Sequence, residues 1–377
     1  MKFASRLDKV GESATFKYSS LAKGEGILNL TQGLINYRTP PSIVEAAEKA
    51  MREGKTSYTP TRGIPELREK IALKLEEENN IEDLGPENIL VSAGAKQVIF
   101  EAVMALVERG VEVAIPNPSW VSYEPIINLA EGEIVWLPLN SDEGFIPGED
   151  FLSKLENSNP KLIFMNSPNN PTGAVYPRKV IEEIVDIAER KNAWILSDEI
   201  YEKIIYEGEH FSPASIYDKT ITVNGFSKEY SMTGWRLGYC ACKNSDLLDK
   251  MNIIQSQSVS CATSFVQYAA IEAFTQDVRA GVKQMLSDLR DRRNLLVEGL
   301  VAAGLLDYEP DGAFYVFPQL GDGDDIKIAD RLLEEGVGVI PGSPFGSQGV
   351  GCVRISYGFV SKDKIKEVVE KLSAIEL

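Results

Sequence analysis

Between Ile89 and Ala241 short apolar runs alternate with amphipathic stretches, and that alternation admits few folds. Strand-like runs lie at Ile89-Leu90-Val91, Val111 to Ile115, Ile134 to Leu137, Leu162 to Met165, Trp194 to Leu196, Ile221 to Val223 and Leu237 to Ala241. Helical spacing covers Ser42 to Met51, where Ile43, Val44, Ala47 and Met51 share a face behind Pro40-Pro41. It recurs at Lys96 to Glu108 and at Val180 to Arg190. Strands joined through helices need crossovers, so the prediction is an α/β fold with a mostly parallel, seven-stranded sheet flanked by helices. In such sheets ligands sit beyond the carboxyl ends of the strands.

From Val259 to Arg293 the pattern is long and helical, and a second set of elements follows it. Strands are expected at Gly312 to Phe317, Val337 to Ile340 and Val353 to Ser356, with helices near Ile326–Leu333 and Ile365–Leu372. At 377 residues the chain exceeds the usual single-domain size. We therefore expect a large domain over residues 43–280 and a smaller α+β domain over 281–377. An N-terminal arm, residues 1–42, completes the small domain. Gly321 to Asp325 is expected to be a loop, and no internal repeat or low-complexity tract occurs.

Charge and composition exclude several classes of function. Lys and Arg total 39 against 56 Asp and Glu, a formal charge of −17. Nucleic acid and anionic membranes need concentrated positive charge, so neither is an expected partner, whereas a small anion feels only its local surroundings. Met1 to Ser20 has no apolar core of a secretory signal, and no stretch reaches the length of a membrane span, so a cytoplasmic protein is expected. The four cysteines are too scattered for a disulfide framework; Cys240 and Cys242 are read as buried free thiols. His210 is the only histidine, which rules against a Ser-His-Asp hydrolase, a Cys-His protease or a His-rich zinc enzyme. No metal is expected, and the Gly208–Pro213 context places His210 on a surface or rim loop.

The chemistry concentrates in loops after predicted strands. Ser227-Lys228-Glu229-Tyr230-Ser231-Met232-Thr233-Gly234-Trp235-Arg236-Leu237-Gly238 follows the strand-like Thr220 to Asn224. A buried lysine of lowered pKa condenses with aldehydes, and an arginine holds a phosphate dianion, which together describe a site for pyridoxal phosphate. Ser92-Ala93-Gly94-Ala95-Lys96-Gln97 is a strand–helix turn whose small residues allow backbone N–H groups to converge on an anion; taken alone it is equally ordinary turn chemistry. Asn170, in Asn169-Asn170-Pro171-Thr172-Gly173, is placed to bond a phenolate-like oxygen, or the segment is only a turn. Asp198, in Ser197-Asp198-Glu199-Ile200-Tyr201, would hold a pyridine nitrogen protonated, or serve as a helix cap. Trp120, in Pro118-Ser119-Trp120-Val121-Ser122-Tyr123, would stack on a ring or fill the core. Arg354 lies inside a strand pattern, where it grips a carboxylate or forms a structural ion pair.

The order and spacing of these segments resemble the class I aminotransferases, fold-type I pyridoxal phosphate enzymes that include the prokaryotic aspartate and aromatic aminotransferases. The resemblance runs from about Leu28 to the C-terminus and rests on Ser227-Lys228…Gly234-Trp235-Arg236 with Asn170-Pro171-Thr172-Gly173 upstream. It implies that Lys228 carries the cofactor and shuttles a proton, that Asp198 pairs with the pyridine nitrogen, and that Tyr201 and Asn170 contact the ring oxygen. By the same resemblance Trp120 stacks on the ring, while Arg236, Ser227 and the backbone of Ala95 and Lys96 hold the phosphate. Tyr58 would reach the phosphate of a neighbouring subunit, implying a homodimer with shared active sites. Arg354 would bind the substrate α-carboxylate beside the Gly33 backbone. Two features depart from the family: Gly225 stands where several members carry a phosphate-binding serine, and Gln32-Gly33-Leu34-Ile35-Asn36-Tyr37 replaces a Pro-Asp-Phe turn at the substrate.

The expected reaction is ping-pong transfer of an amino group from an L-amino acid to a 2-oxo acid such as 2-oxoglutarate. Lys96 stands where prokaryotic aspartate aminotransferases bind the distal carboxylate, which favours aspartate; a solvent-facing lysine is the other reading. Aromatic amino acids are the alternative substrates, and a β-lyase acting on cysteine conjugates is the alternative reaction. A regulatory module lacks its appended DNA-binding segment here, and Gly336-Val337-Gly338 lacks the glycine spacing of a nicotinamide site.

Overall fold

The computed structural model describes residues 3–321 and 323–374. Strands are numbered from the N-terminus. β1 (Leu28–Asn29) stands apart from the main sheet, which contains β2 (Ile89–Ser92), β3 (Glu112–Asn117), β4 (Glu133–Pro138), β5 (Leu162–Asn166), β6 (Trp194–Asp198), β7 (Thr220–Gly225) and β8 (Gly238–Ala241). These form a seven-stranded sheet in the order β2-β8-β7-β6-β5-β3-β4. Every pairing is parallel except those of β8, which runs antiparallel to both β7 and β2. The predicted α/β architecture is thus the observed one, with a single reversed strand.

The sheet has a core on each side because side chains alternate along a strand. Leu162 and Phe164 of β5 face one core, with Leu196, Val223, Val103 and Tyr123. Ile163 and Met165 face the other, with Ile195, Ile181 and Ile184. Helix Arg178–Lys191 contributes Ile181, Ile184, Val185 and Ala188 from one face, the spacing of an amphipathic helix, and ends where Asn192 adopts φ 55°.

A smaller α+β part uses both ends of the chain. β1 pairs in parallel with β10 (Val337–Gly338), bringing Leu28 opposite Val337. β9 (Tyr315–Val316), β11 (Ile340–Pro341) and β12 (Val353–Ser356) form an antiparallel sheet in the order β11-β12-β9. The helix Gln276–Ala302 runs unbroken from the large part into the small one.

Four sequence expectations need correction. The strand expected over Val337 to Ile340 is two strands in different sheets, with Val339 between them. The helical stretch after Val259 is interrupted, with helices at Ser264–Ala270 and Gln276–Ala302, following a left-handed Ser260 at φ 64°. Asp325 is not a loop residue: it opens helix Asp325–Glu334 and is buried, and Asp324, the last loop residue, caps that helix by accepting from Lys327 N at 3.2 Å. Asp322 of that segment lies outside the described residues. His210 lies on a loop as expected, but its side chain turns inward, with Nε2 2.9 Å from an oxygen of the buried Glu199 carboxylate. Cys240, Cys242, Cys261 and Cys352 are free thiols, and Cys240 and Cys242 are buried in the same core, as expected from their spacing.

Candidate active site

The ends of β2, β3, β5, β6 and β7 open on one cavity of about 800 Å³. Its wall contains Gly33, Ala95, Lys96, Trp120, Asn170, Asp198, Tyr201, Ser227, Lys228, Arg236 and Arg354. The structure therefore brings together every candidate residue except Tyr58, whose side chain projects outward with 88% exposure. Most of them follow a parallel strand directly, where backbone groups have left the ladder and side chains are free to converge.

Asp198 ends β6 and is 4% exposed. The Tyr123 hydroxyl donates to its Oδ2 at 2.7 Å, and the Ile200 N–H donates to Oδ1 at 3.3 Å. Burial raises its pKa to about 6 against the opposing pull of those hydrogen bonds and of Lys228. Lys228, half-buried, donates to the Gly33 carbonyl, and its ammonium lies 5.8 Å from the ring centroids of both Tyr201 and Phe314. Burial first, then the charge of Arg354, lowers its pKa to about 8, although Asp198 pulls the other way. A lysine in this state supplies neutral amine near neutral pH.

Arg354 on β12 is 1% exposed. Its Nη1 donates to Asn170 Oδ1 at 3.1 Å and its Nη2 to the Thr31 carbonyl at 2.8 Å, while the buried Nε has no partner. The guanidinium lies over the rings of Tyr315 and Phe345, at 4.6 and 5.3 Å. Asn170 is fixed in turn: its N–H donates to Asn166 Oδ1 at 2.9 Å, and Asn166 Nδ2 donates to the Asp198 carbonyl at 2.8 Å. Tyr201 and Tyr315 share a hydrogen bond of 2.9 Å.

The opposite wall is built for an anion. Helix Ala95–Leu106 begins after Gly94, at φ 95°, and its first two residues, Ala95 and Lys96, line the cavity. A Cβ at Gly94 would lie 2.6 Å from Arg236 Nη2, and one at Gly238 would lie 2.3 Å from the Ala95 nitrogen. Both glycines thus permit a close approach that any side chain would block. Arg236 is exposed, with Nη1 donating to the Thr233 carbonyl at 2.8 Å. The departure at Gly225 has a packing cause, since a Cβ there would meet Gly238 Cα at 2.9 Å. Lys96 is exposed as a residue, yet its ammonium lies 4.8 Å over the Trp120 ring. Partial desolvation and the Arg236 charge lower its pKa.

Glu199, Glu202 and His210 form the one group among the described residues with metal-like donors. Its carboxylates are already bonded by the Lys74 ammonium, which touches Glu202, and by Asn79 Nδ2, 2.6 Å from Glu202. Sequence reasoning gave no role to Tyr123, Asn166 or Tyr315. For Tyr123 the sequence held one signal, its place three residues after Trp120; the structure adds that it is fully buried at a helix start, where its hydroxyl must find a partner.

A cavity at the carboxyl ends of a parallel sheet, holding a depressed lysine, a buried carboxylate and an anion cradle, defines an enzyme site for group transfer on a small anionic substrate. The chain belongs to the class I and II aminotransferases, whose family model matches residues 25–372. It is 41% identical to a probable aspartate aminotransferase of Methanocaldococcus jannaschii, over 97% of this chain and 100% of that protein. Similarity extends to an aromatic-amino-acid aminotransferase of Thermococcus litoralis, 38% identical over 100% of this chain and 98% of the other. Among solved structures, the aspartate aminotransferase of Thermus thermophilus with maleate superposes with a TM-score of 0.94 at 37% identity, covering 99% of each chain.

Proposed function

We propose that this aminotransferase uses pyridoxal phosphate to move the amino group of L-aspartate to a 2-oxo acid such as 2-oxoglutarate, in a ping-pong sequence. One observation carries the reading: a lysine of lowered pKa and a buried carboxylate without a hydrogen-bonded cation line the same cavity as two arginines. Asp198 would satisfy a protonated pyridine nitrogen. Trp120 would cover the ring, Tyr201 and Asn170 would hold its oxygen, and Ser227, Arg236 and the N–H groups of Ala95 and Lys96 would hold the phosphate. When bound, the cofactor supplies an aldehyde and an electron sink. Lys228 Nζ would take the proton from the substrate α-carbon, and its lowered pKa, about 8, keeps a share of it as neutral amine near neutral pH. Arg354 orients the substrate through the α-carboxylate, with the Gly33 carbonyl close to Lys228.

The preference for aspartate is supported by the cavity's charge: Lys23, Lys96, Lys228, Arg236 and Arg354 against Asp198 alone. A second reading, aromatic substrates, is favoured by the apolar wall of Phe16, Leu34 and Trp120. We assign Tyr58 to the phosphate of a partner copy, which its outward projection suits, and infer a cytoplasmic homodimer. Among the described residues no helix is long and apolar enough to cross a membrane.

A visible absorption titration of the protein incubated with pyridoxal phosphate tests the assignment. The cofactor band should bleach with L-aspartate and return with 2-oxoglutarate. Bleaching by phenylalanine alone would move the protein to the aromatic class, and a band unmoved by either amino acid would overturn the proposal.

A further inference from the structure

The segment just before Arg354 carries a second set of contacts outside the chemistry assigned above. Residues 342–352 close into a loop in which Gly342 N donates to the Cys352 carbonyl at 2.9 Å and Cys352 N to the Gly349 carbonyl at 3.0 Å. Its base is held by buried Asp325, which accepts from Ser343 N at 2.8 Å. From this loop Phe345, buried, packs edge-on against Phe317 at 5.6 Å between centroids and lies 5.3 Å from the Arg354 guanidinium.

The tip of the loop is tied to the end of β3, at the root of the Trp120 turn. Ser119 N donates to the Phe345 carbonyl at 2.8 Å. The side chain of Asn117, 4% exposed, makes the other two ties: Nδ2 donates to Ser347 Oγ at 2.8 Å, and Oδ1 accepts from Gln348 N at 3.1 Å. Gly346, at φ 125°, leaves the space this amide needs, since a Cβ there would lie 2.2 Å from Asn117 Oδ1. The amide makes both ties at once, donating through Nδ2 and accepting through Oδ1.

We propose that Asn117 is a positioning residue of the substrate clamp: by fixing residues 345–348 to the Trp120 turn, it sets where Phe345 holds the Arg354 guanidinium. Among the described residues the guanidinium has two hydrogen bonds, to Asn170 and the Thr31 carbonyl, and lies over the Tyr315 and Phe345 rings, so Phe345 is one of the few contacts that set its place. Small displacements of a clamp cost binding steeply. The inference rests on the reading of Arg354 as the α-carboxylate site.

The test uses 2-methylaspartate, which can bind but has no α-proton to lose, titrated against the cofactor-loaded enzyme by absorbance. Asn117→Ala should weaken this analogue about tenfold, the size of one to two lost hydrogen bonds. It should raise KM for aspartate and for 2-oxoglutarate alike, since both carry the α-carboxylate, while kcat and the cofactor spectrum stay close to wild type. Ser347→Ala removes one hydroxyl from an exposed position and should weaken the analogue about threefold. The double variant should be no weaker than Asn117→Ala, because both act on one contact. Should Asn117→Ala not fold, Ser347→Ala alone decides. Analogue binding unchanged in a folded variant, or a fall in kcat and melting temperature with KM preserved, would overturn the proposal. Failure of the wild-type enzyme to bind the analogue would instead strike the aspartate assignment.

Discussion

Glu101 has no place in the cavity, yet burial moves its carboxyl well above the ordinary glutamate range. Its side chain is fully buried on helix Ala95–Leu106, with Oε1 accepting from Ser92 Oγ and Gln97 Nε2, each at 3.0 Å, and Oε2 without a partner. Burial raises its pKa to about 7 despite those two bonds. The folded protein therefore binds more protons than the unfolded chain between the ordinary glutamate range and pH 7. Stability at this site is full below that window and is lost as pH rises through it. Glu101→Gln keeps the shape and an acceptor but cannot ionise. Its unfolding free energy should gain on wild type between pH 5 and pH 7 and hold that gain above, a difference on the order of 1–3 kcal/mol read from paired melting curves. Parallel melting curves across this range would show that Glu101 finds a partner on ionising.

At the scale of elements, the anion cradle depends on how closely β8 passes the start of helix Ala95–Leu106. Gly238 pairs with Ser92 across β2 and β8, and its missing Cβ clears the Ala95 nitrogen by necessity, at 2.3 Å. Backbone cannot yield as a flexible side chain does. Gly238→Ala should displace the helix N-terminus and lower affinity for pyridoxal phosphate by at least about tenfold, measured by absorbance after dialysis. Retention equal to wild type would mean that Arg236 and Ser227 suffice. The elements themselves were largely legible in the sequence. Buried parallel strands such as Leu162–Asn166 are continuous apolar runs, and the candidate residues fall in the loops behind them. What stayed hidden depends on pairing partners rather than on local pattern. Nothing in Gly238–Ala241 announces an antiparallel strand, and nothing in Val337 to Ile340 says that its halves join different sheets. His210 has loop neighbours on both sides, and only the fold reveals the carboxylates that enclose it. Asn117 and Phe345 were equally invisible, being 228 residues apart in number and joined only through space.

Across the whole molecule, charge is distributed against the average. The chain carries −17, while the cavity wall presents five basic side chains and one acid. A dianion such as 2-oxoglutarate is thus repelled by the body and attracted by the mouth, and the two forces have different ranges. The body's field reaches about 30 Å at 0.01 M salt and about 8 Å at 0.15 M, whereas contacts inside a recessed cavity are screened far less. Modest salt should therefore raise kcat/KM for 2-oxoglutarate before higher salt lowers it, and leave an uncharged aromatic substrate nearly unaffected. A monotonic fall from the lowest ionic strength would mean that the mouth's attraction dominates at every distance. The acidic exterior then behaves as a tunable barrier around a selective well, so that the ionic composition of the surroundings, and not the active site alone, sets how readily anionic metabolites are captured.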